Sequence, residues 1–174
     1  MASNLKIFIS LAIVCATLTV TMAGDPDILT DFVVPTNVGG PIDGSFFTFT
    51  GMRSLVGAAF PATFKVSKAS MAEFPALNGQ SVSYAVLQFP SGSVNPPHTH
   101  PRASELLFLL MGSLEFNSDA KNPALAVSGF GSANAGTVAV PNTVFNTTID
   151  DQILALSFKT DVPTIQKIKA GLHG

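Results

Sequence analysis

Between Gly92 and Glu105 the chain places Pro96-Pro97-His98-Thr99-His100-Pro101 and, four residues later, Glu105, and an unbroken apolar run from Leu106 to Met111 follows at once. Two of the three histidines fall within this stretch of a sequence that is only 11% charged. On an extended strand, residues two apart share a face. His98 and His100 therefore present both imidazoles to one point. Glu105 is an odd number of residues from His100 and would face away on the same straight strand, so the chain has to bend between them. Pro101-Arg102-Ala103-Ser104 supplies the bend, and Glu105 then enters from the next strand with Leu107, Leu109 and Met111 on its side. Pro96-Pro97 stiffens the approach and lowers the entropy lost in fixing His98. Two imidazoles and one carboxylate suit Fe, Mn or Zn and leave coordination positions open for an oxygen species or a substrate. The competing reading is a pair of exposed loop histidines beside a glutamate that begins a strand.

The remaining chain frames this site. Residues 1–23 read as a secretory signal peptide: Lys6, an apolar run from Ile7 to Val20, and small residues at Thr21 and Ala23 before Gly24-Asp25-Pro26-Asp27. The run falls short of the about 20 residues that span a bilayer, so no membrane anchor is expected. Residues 24–174 then form one domain. Cys15, the only cysteine, leaves with the signal, which excludes both a disulfide and a cysteine metal ligand from the remainder. Acids and bases are scattered, with a formal charge of −2, and no basic stripe exists to engage nucleic acid.

The 14 glycines, 12 prolines and 14 phenylalanines, with many valines and threonines, predict short strands punctuated by turns. Extended segments are expected at Asp31–Pro35, Phe46–Thr50, Phe64–Ser67, Ser81–Phe89, Leu106–Met111, Ala124–Ser128 and Thr137–Val140. Ser81–Phe89 carries apolar residues on both parities, and Leu106–Met111 is apolar throughout, so both read as buried strands. At the C-terminal end, Asp150-Asp151 and Asp161 with Pro163 predict two short helices. Their apolar residues, Ile153, Leu154 and Phe158 in the first and Ile165 and Ile168 in the second, need a sheet or a second subunit to cover them.

The spacing Gly92, His98-Thr99-His100, Glu105, Gly112 resembles the first motif of the germin-like proteins of the cupin superfamily. Gly24-Asp25-Pro26-Asp27, Asn95-Pro96-Pro97-His98-Thr99-His100-Pro101-Arg102 and Phe158-Lys159-Thr160-Asp161-Val162-Pro163 resemble the same family. The resemblance implies an all-β fold, a cupin jelly-roll sandwich or barrel with short C-terminal α-helices. It also implies manganese held by three histidines and a glutamate, homo-hexamers built from dimers, and a place in the plant apoplast with a role in defence. Superoxide dismutase or a related oxidase activity on small oxygen species or a small acid is implied with it. His98, His100 and Glu105 match ligands. Asn95 matches a residue that contacts substrate in the family's oxalate oxidases, but the partner asparagine corresponds to Ala85, which disfavours oxalate oxidation. Asn95 read alone is equally a turn former before Pro96.

The family's second motif, which carries the fourth ligand, is missing: no histidine lies between His100 and His173. The sequence after Leu114 resumes at Glu115 as the family does beyond that histidine, with Asn117 in the place of the motif's last asparagine. An internal deletion of two or so strands, and hence an incomplete jelly roll with an impaired site, is the expectation. His173, beside the C-terminal Gly174, reads as a tail residue rather than a replacement ligand. A cell-wall structural, storage or recognition protein without chemistry is the alternative. Asn146-Thr147-Thr148 is a sequon for an N-linked glycan in the secretory route.

Overall fold

The computed structural model describes residues 25–26, 28–36, 38–114 and 121–172. The expected signal peptide, the junction at Glu115 with Asn117, and His173 lie outside the described residues. Six strands precede three short helices: β1 (Lys65–Ala69), β2 (Ser83–Phe89), β3 (His98–Thr99), β4 (Glu105–Met111), β5 (Ala124–Phe130), β6 (Val138–Ala139), α1 (Val140–Phe145), α2 (Asp151–Ser157) and α3 (Val162–Gly171). One antiparallel sheet runs β1-β2-β5-β4, and β3 pairs with β6 in a separate two-stranded ribbon.

Register explains which face is the core. Val66, Leu87, Ala126 and Leu109 form one cross-strand row, and Lys68, Ala85, Ser128 and Leu107 form the next on the same face. On this face Ala85, Leu87, Phe89, Ala124 and Ala126 are buried, with Phe64, Val66, Leu114 and Phe130 packed against them. Three of those five buried residues are alanines. The sheet thus carries a thin core, and the two sheets do not close into a barrel.

β4 departs most from the sequence expectation. Leu106 to Met111 reads as a buried strand, yet every residue of β4 is exposed, from 37% at Leu109 to 78% at Leu106. Among the described residues β4 is a terminal strand that pairs with β5 and with no other strand. The register slips between Leu109 and Met111, which sets Met111 opposite Leu125 and off the row of Leu107 and Leu109. Gly112 ends the strand with φ +86°, where an added Cβ would lie 2.7 Å from the Cβ of Ala124.

Other segments differ for local reasons. Asp31–Pro35 forms no strand. Phe46–Thr50 is not a strand either, because the Asp43 carboxylate accepts from the Ser45 amide at 2.8 Å and hydroxyl at 2.6 Å and closes a turn. Phe46 and Phe47 then pack against Phe32. Of Thr137–Val140 only Val138–Ala139 pairs, and Pro141 opens α1, since proline fits the first helical turn, where no amide partner is lost.

The two predicted terminal helices are present. Asp150 caps α2 by accepting from the amides of Gln152 and Ile153, and Asp161 caps α3 by accepting from Thr164. The Thr164 hydrogen bonds hold the Asp161 carboxyl below its ordinary range, and the Lys169 ammonium, 2.7 Å away, does the same for Asp151. Leu154, Ala155 and Ile165 form a small second core with Val144, Phe145 and Val162. Ile153, Leu156 and Phe158 remain exposed.

Asp25 ties the start of the described chain to the loop that follows β5. Its carboxylate accepts from the Ser132 hydroxyl, from the Ala133 amide at 2.7 Å and from the Ser81 amide at 3.1 Å. Hydrogen bonds to a charged group contribute about 1.5–3 kcal/mol. Asp25→Ala is accordingly expected to lower the unfolding free energy by roughly 1–3 kcal/mol in urea titrations, whereas Asp31→Ala leaves it nearly unchanged. Equal stability of the two variants would contradict the clamp.

Candidate metal centre

The bend demanded by sequence parity is held from the opposite side of the site. The amide of Arg102 donates to the Ala135 carbonyl at 3.2 Å, and the amide of Gly131 donates to Ser104 at 3.1 Å. The 101–104 turn is thereby fastened to the loop between β5 and β6. Arg102 Nε and Nη2 also donate to the backbone and side-chain oxygens of Asn134 at 2.7 and 2.8 Å. Gly136 passes directly beneath that guanidinium with φ +71°, and a Cβ there would lie 2.7 Å from Arg102 Nη2. Only glycine suits both the left-handed backbone and the close approach.

This scaffold brings His98, His100 and Glu105 together. One ligand atom from each lies within 4.8 Å of the others. The two imidazoles stand edge to face with centroids 4.9 Å apart, and Phe130 backs His100 at 4.7 Å. His98 Nδ1 donates to the Pro96 carbonyl at 2.8 Å, and His100 Nδ1 donates to the Gly136 carbonyl. A carbonyl oxygen only accepts, so both Nδ1 atoms carry the proton. In the neutral rings each Nε2 is then a free lone pair, the form needed to bind a metal.

The arrangement around His100 tests the fit. Its Nε2 is buried without a hydrogen-bond partner, although Glu105 Oε2 lies 3.3 Å away. In this tautomer both atoms offer a lone pair, and a metal ion held here would take both as ligands. The other carboxylate oxygen, Oε1, accepts from the hydroxyl of Ser128, which is fully buried, at 2.6 Å. Ser128 thus fixes the carboxylate with Oε2 turned toward His100. Oxygen and imidazole donors of this kind fit Mn, Fe or Zn. Among the described residues no further histidine, cysteine or acid joins the cluster.

These residues line a cavity of about 460 Å³ whose wall also includes Asn95, Lys68, Ala85 and Asn134. Asn95 therefore sits where a ligand beside the cluster would be touched. Asn146, the other residue singled out from sequence, ends α1 exposed and away from the cavity. Ser128 escapes the sequence reading, as do the carbonyls of Pro96 and Gly136 and the brace formed by Arg102. Ser128 leaves one signal in the sequence: a polar residue on the same parity as Ala124 and Ala126 in a strand whose inward face is otherwise apolar.

A cupin family model matches residues 61–118. Germin-like protein 9-3 of Oryza sativa subsp. japonica is 51% identical over 209 aligned positions, covering 99% of this chain and 97% of the relative. Germin-like protein 9-1 of the same plant is 40% identical, covering 97% and 82%. Among solved structures, an oxalate oxidase in complex with the substrate analogue glycolate superposes with a TM-score of 0.68 at 25% identity, covering 84% of this chain and 97% of that one. Fold and site thus define a cupin. Within that class the chain belongs to the germin-like proteins.

Substitution at Ser128 probes the geometry without removing a ligand. Loss of a group that orients a ligand costs roughly 10- to 100-fold in metal affinity. Ser128→Ala is expected to weaken metal binding by about that factor in a chelator-competition titration with Mn, Fe or Zn, with His100→Ala abolishing it. Unchanged affinity in Ser128→Ala would show that the hydroxyl does not position Glu105.

Proposed function

We propose that the chain is a secreted, apoplastic germin-like cupin that binds manganese through His98, His100 and Glu105, with superoxide dismutase-like or oxidase-like activity weakened by the lack of a fourth protein ligand. The observation that supports this reading is the buried His100 Nε2, without a hydrogen bond, lying 3.3 Å from Glu105 Oε2. In this role His98 and His100 hold the ion as neutral imidazoles, their tautomers set by the carbonyls of Pro96 and Gly136. Ser128 keeps Glu105 aimed, and Asn95 offers an amide to a small oxygen species or acid in the cavity. Manganese, when bound, supplies one-electron redox chemistry at a position open to such a ligand. Ala85 offers no polar group to a dicarboxylate, so oxalate oxidation is the less favoured chemistry.

The proposed deletion after Leu114 has support of two kinds. The 209 positions aligned with the rice protein exceed the 174 residues of this chain by 35. That length is about three to five strands with their turns. The exposed β4 and the thin core are what loss of those strands would leave. Three protein ligands bind less tightly than four and hold a redox couple less well balanced.

A role in defence follows from the family alone. The exposed Ile153, Leu156 and Phe158 on and beside α2 offer the surface for assembly into a homo-oligomer, a hexamer by resemblance. Exposed Asn146 is the site for an N-linked glycan, and an electrophoretic shift on glycosidase treatment tests it. The second reading, a non-catalytic cell-wall structural, storage or recognition protein, is favoured by the absence of a fourth ligand among the described residues.

Metal analysis of the purified protein decides between them. Manganese near one ion per chain, lost in His98→Ala, together with dismutase activity below that of a germin-like protein with four ligands, is the expected result. Absence of metal, or equal metal in His98→Ala, would sink the binding claim. Bound manganese with no dismutase activity at any loading selects the second reading.

A further inference from the structure

The cavity of about 460 Å³ extends well beyond the histidine and glutamate cluster. Phe64, Val66, Leu87 and Phe130 give it apolar walls, and its charged members besides the histidines are Glu105 and Lys68. Lys68 stands out on this face. It shares strand parity with Val66 and pairs across the sheet with Ala85, a core residue only 3% exposed. Lys65, three residues earlier, faces the other side of the sheet. No acid among the described residues lies within ion-pair distance of Lys68. Glu73, the acid that feels its charge, is engaged instead by the Ser70 hydroxyl and, at 3.0 Å, the Ser70 amide. A cation in a largely apolar cavity, with no counter-charge supplied by the protein, suits an anionic group brought by a ligand.

Position in the sheet decides how such a ligand lies. Lys68 on β1 and Glu105 on β4 are three strand spacings apart, about 14 Å. The strands between them contribute Ala85, Leu87 and Phe130 to the wall, and Ser83 there already donates its hydroxyl to the Ser132 carbonyl at 2.6 Å. One end of the cavity is thus cationic, the middle is mainly apolar, and the far end holds the cluster.

We propose that the cavity takes an organic monocarboxylate with an apolar body, its carboxylate paired with Lys68 and its body lying along Ala85, Leu87 and Phe130 toward the cluster. For any reaction at the far end of the ligand, this rests on the reading of the cluster as a metal centre. Binding itself needs only Lys68 and the apolar wall. A short dicarboxylate is poorly matched, because it reaches the cluster or Lys68 but not both. A small oxygen species makes no use of the apolar wall.

Calorimetric titration with cinnamate, a rigid aromatic monocarboxylate, tests this on chelator-treated and on manganese-loaded protein. Cinnamate is expected to bind both forms, with uncharged cinnamamide and body-less acetate each about tenfold weaker or more. Lys68→Gln should weaken cinnamate about tenfold or more, the loss of one charge-assisted hydrogen bond, and leave cinnamamide unchanged. Lys68→Arg should keep most of the affinity, and Lys65→Gln, on the other face of the same strand, all of it. Added salt should weaken cinnamate binding to the unsubstituted protein more than to Lys68→Gln. His98→Ala should still bind cinnamate, so loss of manganese in that variant counts against the metal reading alone. Manganese bound normally with no cinnamate binding overturns the present proposal alone. Acetate or cinnamamide binding as tightly as cinnamate also overturns it, as does an equal effect of Lys65→Gln and Lys68→Gln. Cinnamate binding that requires manganese and ignores Lys68→Gln places the carboxylate on the metal, which overturns it as well.

Discussion

The site turns on one close contact made without a hydrogen bond. His100 Nε2 and Glu105 Oε2 lie 3.3 Å apart with no hydrogen shared by good geometry, and the imidazole atom is buried. Burial of an unsatisfied polar atom costs roughly 1–3 kcal/mol, so such pairs persist only where something supplies the missing interaction. Each partner is locked from behind. Gly136 claims the Nδ1 proton of His100, and Ser128 claims the other oxygen of the carboxylate. Neither group can turn away to relieve the contact. The three side chains of the candidate centre are therefore held together by the protein itself.

That preorganisation is distributed through the fold. The carbonyl that orients His100 belongs to the loop after β5, which Asp25 fastens at Ser132 and Ala133 and Arg102 fastens at Asn134 and Ala135. His98 sits in a ribbon with β6, and its neighbour Pro97 accepts from Val140 at the start of α1. The site depends less on the inner face of the sheet, whose buried residues are small, than on loops stitched together by hydrogen bonds. The site's geometry thus does not depend on a thick apolar core behind it.

Much of this is legible in the sequence because it rests on local rules. Strand parity demands the bend between His100 and Glu105, and Asp150, Asp161 and Pro163 mark the helices through capping chemistry. What stays hidden depends on partners far along the chain. Ser128 meets Glu105 across 23 residues, and Gly136 meets His100 across 36. The burial expected for Leu106–Met111 fails because apolar composition reports what a strand is suited to, whereas exposure depends on whether a covering layer exists. Phe46–Thr50 fails as a strand because the Asp43 side chain offers the backbone a competing turn.

Everything proposed for the site rests on a manganese centre with two imidazoles and one carboxylate from the protein, the remaining positions being open. Pulsed electron–nuclear spectroscopy of the manganese-loaded protein, which counts coordinated nitrogens, measures this directly. Two imidazole nitrogens, falling to one in His98→Ala, is the predicted result. Three imidazole nitrogens, or none, would contradict it.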